Sequence, residues 1–425
     1  MQAAPLRRRV PSAHTIAQAM RGQALVLATL ACALRTDASR PLPQWKYNST
    51  GFPSGWFGSN ASGLENDAQL EAIGRYGFAT FGWQQCLSLT NYTNEAACLV
   101  EQARVVKKRR PDMPVAIYLD GVLAEPFQKA VRAAMFGPEA SLYRDYFLRD
   151  QAGNPITCDT FCRQMPGMAH TDPRCLAWYF NWFNESAVQW YINQYVAPIA
   201  KQPGFDAVFF DGCDEWIKQP KWKDAANVGA NRTDADAIRV MMDVRVQTSQ
   251  ALTAAGKYPL YSEHLGDTSA AEQAYISGRM EGVGYFRYFE FFNPTAAFIE
   301  SLLNETQRKG KGKGSAAVTG SGGTSAHQAL PLMCRQLISN GLKLSDSIAA
   351  FLIVKGNFSY YSASTGWFNK DWVWHNEYDV DYGTPVGDAV TEGNGVYTRE
   401  FTRCSVRVNC TGVGRGNCVG NITMH

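Results

Sequence analysis

The run FDAVFFDGCDEW, residues 205–216, pushes a carboxylate, Asp211, out of the end of an apolar strand and follows it with Asp214 and Glu215. The same ending recurs along the chain. MPVAIYLDG (113–121) closes on Asp120, KYPLYSEH (257–264) on Glu263, and AYISGRMEGV (274–283) on Glu281. Parallel strands buried on both faces are apolar throughout, so an acid at the last position belongs to whatever lies beyond the strand end. Paired carboxylates suit the hydrolysis of a glycosidic bond. One stays protonated to donate to the leaving oxygen, and the other is ionised to attack the sugar or activate water. Neighbouring acids in a partly desolvated cleft drive each other's pKa values apart, which yields both roles from similar side chains. Asp211 is expected to be the ionised partner, as nucleophile or base. Glu281 is the expected proton donor, with Glu263 as the alternative.

Other residues near these ends suit a sugar ligand. Trp56, Trp83, Trp182 and Trp216 fall at or near expected strand ends, where flat rings can stack on pyranose faces. Asp120, Asn181 and Asp214 could bind hydroxyls, and Arg279 is a further polar residue in apolar company. Each has a plainer reading. Asp120-Gly121 can be a turn, Asp214 and Glu215 a solvated loop, and WYFNWF (178–183) core packing. Asp211, Glu263 and His264 could together ligate a hard or borderline metal. The expectation is nevertheless of no metal and no cofactor, because the two-carboxylate chemistry requires neither.

Strands that deliver acids to a common rim must alternate with helices. Strands are expected at 55–59, 77–83, 113–121, 205–212, 257–264, 274–283, 315–320 and 357–364. Helices are expected at 64–75, 94–109, 184–200, 234–255, 294–307 and near 329–352. Eight such repeats fit a (β/α)8 TIM barrel, whose active site lies at the C-terminal ends of the strands. An open doubly wound sheet fits less well, because no G-x-G-x-x-G opens a helix after the first strand. Residues 125–175 make a long excursion with a hairpin at 146–157. The Lys/Gly run KGKGKGSAAVTGSGG lacks the spacing of a phosphate loop. GVYTREFTRCSVRVNC (395–410) alternates at period two, which predicts a small C-terminal antiparallel β appendage. The expected domains are a leader over 1–38, the barrel over 39–375 and the appendage over 376–425.

The totals exclude several classes. Of 425 residues, 45% are apolar and 19% charged, without a disordered signature. A net charge of +3 gives no reason to expect a nucleic-acid or anionic-membrane partner. Arg7, Arg8, Arg9 and Arg21 precede the apolar run ALVLATLACAL (24–34), and Ala31 and Ala33 follow the spacing of a cleaved signal peptide. That run is too short to span a bilayer. N-x-[ST] sequons at Asn48, Asn60, Asn91, Asn184, Asn231, Asn304, Asn357, Asn409 and Asn421 exceed chance and agree with secretion. Beyond Cys32 in the leader, ten cysteines (86, 98, 158, 162, 175, 213, 334, 404, 410 and 418) form an even set suited to disulfides. Cys158…Cys162 and Cys410…Cys418 could instead hold zinc, but no His pair stands at ligand spacing nearby.

Two blocks carry a family resemblance. WYFNWFNESAVQWYINQYV…GFDAVFFDG resembles the fourth-strand region of glycoside-hydrolase-like barrels, closest to the hypothetical glycosyl hydrolase family 15. The tail YDVDYGTPVGDAV…GVYTREFTRCSVRVN resembles that family's ending. The likeness spans roughly residues 45–410, with only those two blocks specific. It implies a (β/α)8 fold and action on carbohydrate, with Asp211 matching the strand-four acid. The fifth strand, YSEH, departs from that pattern by its acidic ending, which leaves the proton donor open between Glu263 and Glu281. The function expected is thus a secreted, extracellular glycoside hydrolase acting on a polysaccharide or glycan. The competing expectations are a lectin-like barrel that binds sugar without turnover and a metal-dependent hydrolase.

Overall fold

The computed structural model describes residues 52–165, 167–212, 216, 220–262, 286–289, 294–308, 332–337, 343–356, 359–412 and 418–425. Its centre is a parallel sheet of eight strands. They are β1 (Gly55–Gly58), β2 (Phe78–Phe81), β3 (Val115–Asp120), β7 (Ala207–Asp211), β8 (Tyr258–Ser262), β9 (Phe286–Phe289), β10 (Leu332–Leu337) and β11 (Ser359–Ser364). Spatial order follows chain order, and every neighbouring pair runs parallel. The two outer strands also meet: Ser54 bridges Tyr361 in parallel, with Tyr361 N donating to Pro53 O at 2.8 Å.

Helices α1 (Asp67–Gly74), α2 (Glu95–Arg109), α7 (Asp234–Ala254), α8 (Ala296–Leu303) and α9 (Leu344–Val354) link successive strands. The connection from β3 to β7 ends in one continuous helical stretch. It comprises α5 (Glu185–Trp190), a π turn over Tyr191–Val196 and α6 (Ala197–Ala200). Asn184 starts it by accepting from Ser186 N and Ala187 N, as an N-cap asparagine does. Strand β3 is buried at all six positions, and β7 at all but its last, Asp211. That is the near-continuous apolar run a sheet covered on both faces demands.

The long excursion folds into a small antiparallel sheet ordered β4 (Leu123–Ala124), β6 (Ala177–Tyr179), β5 (Thr157–Cys158), with α3 (Lys129–Phe136) and α4 (Thr160–Gln164) beside it. A turn at 150–154 closes the expected hairpin, with Arg149 bridging Pro155. The chain ends in a four-stranded antiparallel sheet, β12 (Val390–Gly393), β13 (Val396–Glu400), β14 (Cys404–Asn409) and β15 (Val419–Met424). Arg399 of β13 fastens it to α9. Its guanidinium donates to the carbonyls of Leu352, Ile353 and Lys355, placing a buried cation on the negative end of the helix.

Disulfides join Cys86 to Cys98, Cys162 to Cys175, and Cys410 to Cys418. Cys158 and Cys404 are thiols among the described residues, and Cys32 and Cys213 lie outside them. Among the described residues no helix is long and apolar enough to cross a membrane.

Two strand expectations require correction. The sixth strand is FRYF (286–289), not AYISGRMEGV, so Glu281 precedes it in the chain instead of closing it. The seventh is LMCRQL (332–337), not SAAVTG, and the helix expected from 329 begins only at Leu344. Leu, Met, Arg and Gln favour helix in isolation, and pairing with strands on both sides overrides that preference here. The leader, 274–283 and 315–320 lie outside the described residues.

Candidate active site at the strand ends

Asp120 and Asp211 are direct partners in the β3–β7 register, so the two acids stand side by side at the C-terminal ends of adjacent parallel strands. The backbone locks the pair, with Gly121 N donating to Asp211 O at 2.9 Å. Gly212 follows with φ +66°, and a Cβ there would meet Asp120 Oδ1 at 3.3 Å. Glycine is therefore required twice at that point, by conformation and by space.

The two carboxylates differ in environment. Asp120 is only 4% exposed. Its Oδ1 accepts from Val122 N at 2.7 Å and Leu123 N at 2.5 Å, and its Oδ2 accepts from the Tyr118 hydroxyl at 3.3 Å. Its carbonyl accepts from the Tyr191 hydroxyl at 2.9 Å. Asp120 is thus bound on all sides. Asp211 is half-buried, the one position of β7 that reaches partial exposure.

Behind them lies a second pair of acids that sequence reasoning missed. Glu95, the first residue of α2, is fully buried, and Glu125, just past β4, is 1% exposed. One amide ties them together. Gln128 Nε2 donates to Glu95 Oε2 and, at 3.3 Å, to Glu125 Oε2, while Gln128 Oε1 accepts from Ala96 N. Glu95 Oε1 also accepts from Gln85 N at 3.0 Å. Glu125 Oε1 has no hydrogen-bond partner among the described residues. Burial pushes both carboxyls well above the usual range, and for Glu125 the charges of Glu95, Asp120 and Asp211 push in the same direction. The Tyr118 phenol is raised by burial and then by the same four acids, Asp120, Glu125, Asp211 and Glu95. The network continues outward: Gln85 Nε2 reaches Gln102 Oε1, which also accepts from Glu65 N at 2.7 Å.

The four indoles proposed as sugar platforms are buried. Trp56 packs on Phe81 and Trp372, and Trp83 on Phe161 and Phe368. Trp182 stacks on Phe180 and sets its edge against Tyr191, the tyrosine that holds the Asp120 carbonyl. Trp216 packs on Phe183 and accepts at its carbonyl from Trp222 Nε1. In this structure all four are core, because aromatic area at the strand ends is consumed by neighbouring aromatics. Asn181 is buried too, donating from Nδ2 to Asp145 O and Asn227 O, and its Oδ1 has no partner among the described residues. Asp214, Glu215, Glu263, His264, Arg279 and Glu281 lie outside the described residues. Among the described residues no group of His, Cys, Asp and Glu could hold a metal, and Cys410 with Cys418 forms a disulfide where zinc was an alternative.

A signal for the missed acids existed. Glu125 stands in the apolar company of GVLAEPF, where an acid is out of place unless it is buried for a purpose. Glu95 in TNEAACLV read as an ordinary acid of a first helical turn.

The model of the hypothetical glycosyl hydrolase family 15 matches residues 107–405. No curated relative matches the chain. Among solved structures, sucrose 6F-phosphate phosphorylase from Thermoanaerobacter thermosaccharolyticum is 10% identical with TM-score 0.47, over 92% of this chain and 99% of that one. The Ega3 protein of Aspergillus fumigatus, solved with galactosamine, is 13% identical with TM-score 0.38, over 78% and 98%. An alpha-galactosidase from Thermus thermophilus is 15% identical with TM-score 0.30, over 51% of this chain and only 39% of its own.

Proposed function

Because the chain belongs to the hypothetical glycosyl hydrolase family 15, we propose that it is a secreted enzyme that cleaves glycosidic bonds in a polysaccharide or glycan with two carboxylates. The observation that carries this reading is the contrast at the β3–β7 rim. Two acids share one register position, yet Asp120 is buried among donors while Asp211 is only half-buried. A carboxylate that attacks a sugar or activates water must be reachable, and a neighbour saturated with hydrogen bonds fixes its surroundings. Asp211 takes the role of nucleophile or base. Asp120 holds the strand ends in place and contributes negative potential to the substrate site.

The proton donor on this reading is Glu263, one residue past the end of β8, the strand beside β7. Glu281 is the weaker choice, since it comes before β9 in the chain. The parallel bridge between the outer strands, Ser54 with Tyr361, supports a closed (β/α)8 barrel over 39–375 with the antiparallel appendage following. Secretion is supported by the leader, the sequons and the three disulfides. The burial of all four indoles gives no support to a lectin that would bind by stacking.

The test is Asp211→Asn assayed on a panel of plant, algal and bacterial wall polysaccharides. Sugar release falls by about a thousandfold or more while glycan binding persists. Binding unchanged with no turnover in either protein would replace the hydrolase with a lectin. Activity lost to a chelator and restored by a divalent ion would replace it with a metal-dependent reaction.

A further inference from the structure

Glu95 and Glu125 present an electrostatic problem that the fold has to solve. Both are buried, both are bound by the same Gln128 amide, and among the described residues no ion pair reaches either. Two buried carboxylates this close, without a cation, cannot both be ionised, because each loses its hydration and repels the other. One proton must stay between them at neutral pH.

The hydrogen bonds decide where it stays. Glu95 accepts from a backbone N–H and from Gln128, and sits on the first turn of α2, where the helix end favours negative charge. Among the described residues Glu125 accepts only the longer bond from Gln128, and its Oε1 accepts nothing. Negative charge is therefore best placed on Glu95 and the proton on Glu125. The groups facing Glu125 are Glu95 from α2, Asp120 and Tyr118 from β3, Asp211 from β7, and Tyr195 from the π turn before α6. Among the described residues every one of them is an acid or a phenol, and none is a cation.

We propose that Glu125 is a positioning residue held as a neutral carboxylic acid by Glu95 and Gln128, and that its neutrality permits Asp120 and Asp211 to be negative together at the rim. The inference rests on the proposed role of Asp211 in hydrolysis. Its physical core, a carboxylic acid protonated at neutral pH, does not. Losing that proton adds an uncompensated buried negative charge beside Asp120 and Asp211; their repulsion displaces the rim carboxylates without protonating them, so activity falls at alkaline pH.

Two measurements on the full-length protein separate these layers. Burial holds Glu65 partly protonated at pH 7 as well, so the infrared spectra are taken in a Glu65→Gln background. There the carbonyl stretch of a protonated carboxylic acid remains at pH 7; adding Glu125→Gln removes that band, whereas adding Asp211→Asn leaves it. A Glu65→Gln protein without the band, or a band that survives Glu125→Gln, overturns the proposal whether or not a substrate has been found. Where hydrolysis is measurable, Glu125→Gln keeps kcat within about tenfold and moves the alkaline limb of the pH profile up by about one unit or more. A limb that does not move overturns the positioning role. A loss of about a thousandfold in kcat with the fold intact also overturns it and makes Glu125 the proton donor itself. The infrared band present with no hydrolysis of any glycan would sink the enzymatic reading while leaving the neutral acid in place.

Discussion

Glu65, between β1 and α1, offers a quantitative check on how burial acts at this end of the sheet. It is 5% exposed. One carboxylate oxygen accepts from Asn369 Nδ2, and the Asn60 side chain also hydrogen-bonds to the carboxylate. The cost of burial exceeds what those bonds return, and the carboxyl rises from 4.5 to about 7. The unfolded chain titrates near the ordinary value, so the rise corresponds to about 3 kcal/mol between the two protonation states. The sign follows directly. Below about pH 4.5 the group is protonated in both states and native stability is whole; as pH climbs to about 7 the unfolded chain ionises first and stability is lost; above that the deficit is constant. Glu65→Gln keeps the shape and abolishes the titration. Its new amide finds an acceptor, because Asn369 Oδ1 has no partner among the described residues and a rotation of the Asn369 amide presents it. In denaturant titrations followed by tryptophan fluorescence with disulfides intact, the stability difference between variant and wild type should shift by about 3 kcal/mol in the variant's favour from pH 4 to pH 8. The shift should fall within the window from about 4.5 to about 7. Two stability curves that run parallel across that window would refute the reasoning.

Two further outcomes are expected. Gly212→Ala forces a side chain into left-handed backbone and against Asp120 Oδ1, which costs about 1–2 kcal/mol; the same denaturant titration reads it, and unchanged stability would show that the strand end relaxes freely. Replacing Cys86 and Cys98 with Ser opens a short loop beside β2 and lowers stability by about 3 kcal/mol in the chain-entropy account, read as a lower denaturation midpoint with the far-UV spectrum preserved; an unchanged midpoint would refute it.

Strands such as VAIYLD and AVFFD announced themselves by an apolar run cut off by an acid. Because both acids close their strands, the side-by-side placement of Asp120 and Asp211 was within reach of the sequence. The sixth and seventh strands were not, because AYISGRMEGV offers a competing apolar run just before FRYF and LMCRQL carries helix-favouring side chains; both are fixed by what pairs with them. For the tryptophans, closeness in sequence to a strand end does not fix which way a ring turns, and here each packs against another aromatic. Glu95 and Glu125 could not be joined from sequence, since only the fold brings the start of α2 to the residue after β4, with Gln128 between them.

The contact of Ser54 with Tyr361 bears on how the molecule is made. Its two halves lie roughly three hundred residues apart, so the first strand to leave the ribosome must wait for nearly the entire chain before its second neighbour exists. Until then β1 offers one unpaired flank, open to the wrong strand or to another copy. Slow, aggregation-sensitive maturation is the cost of joining the two ends of the sheet so late.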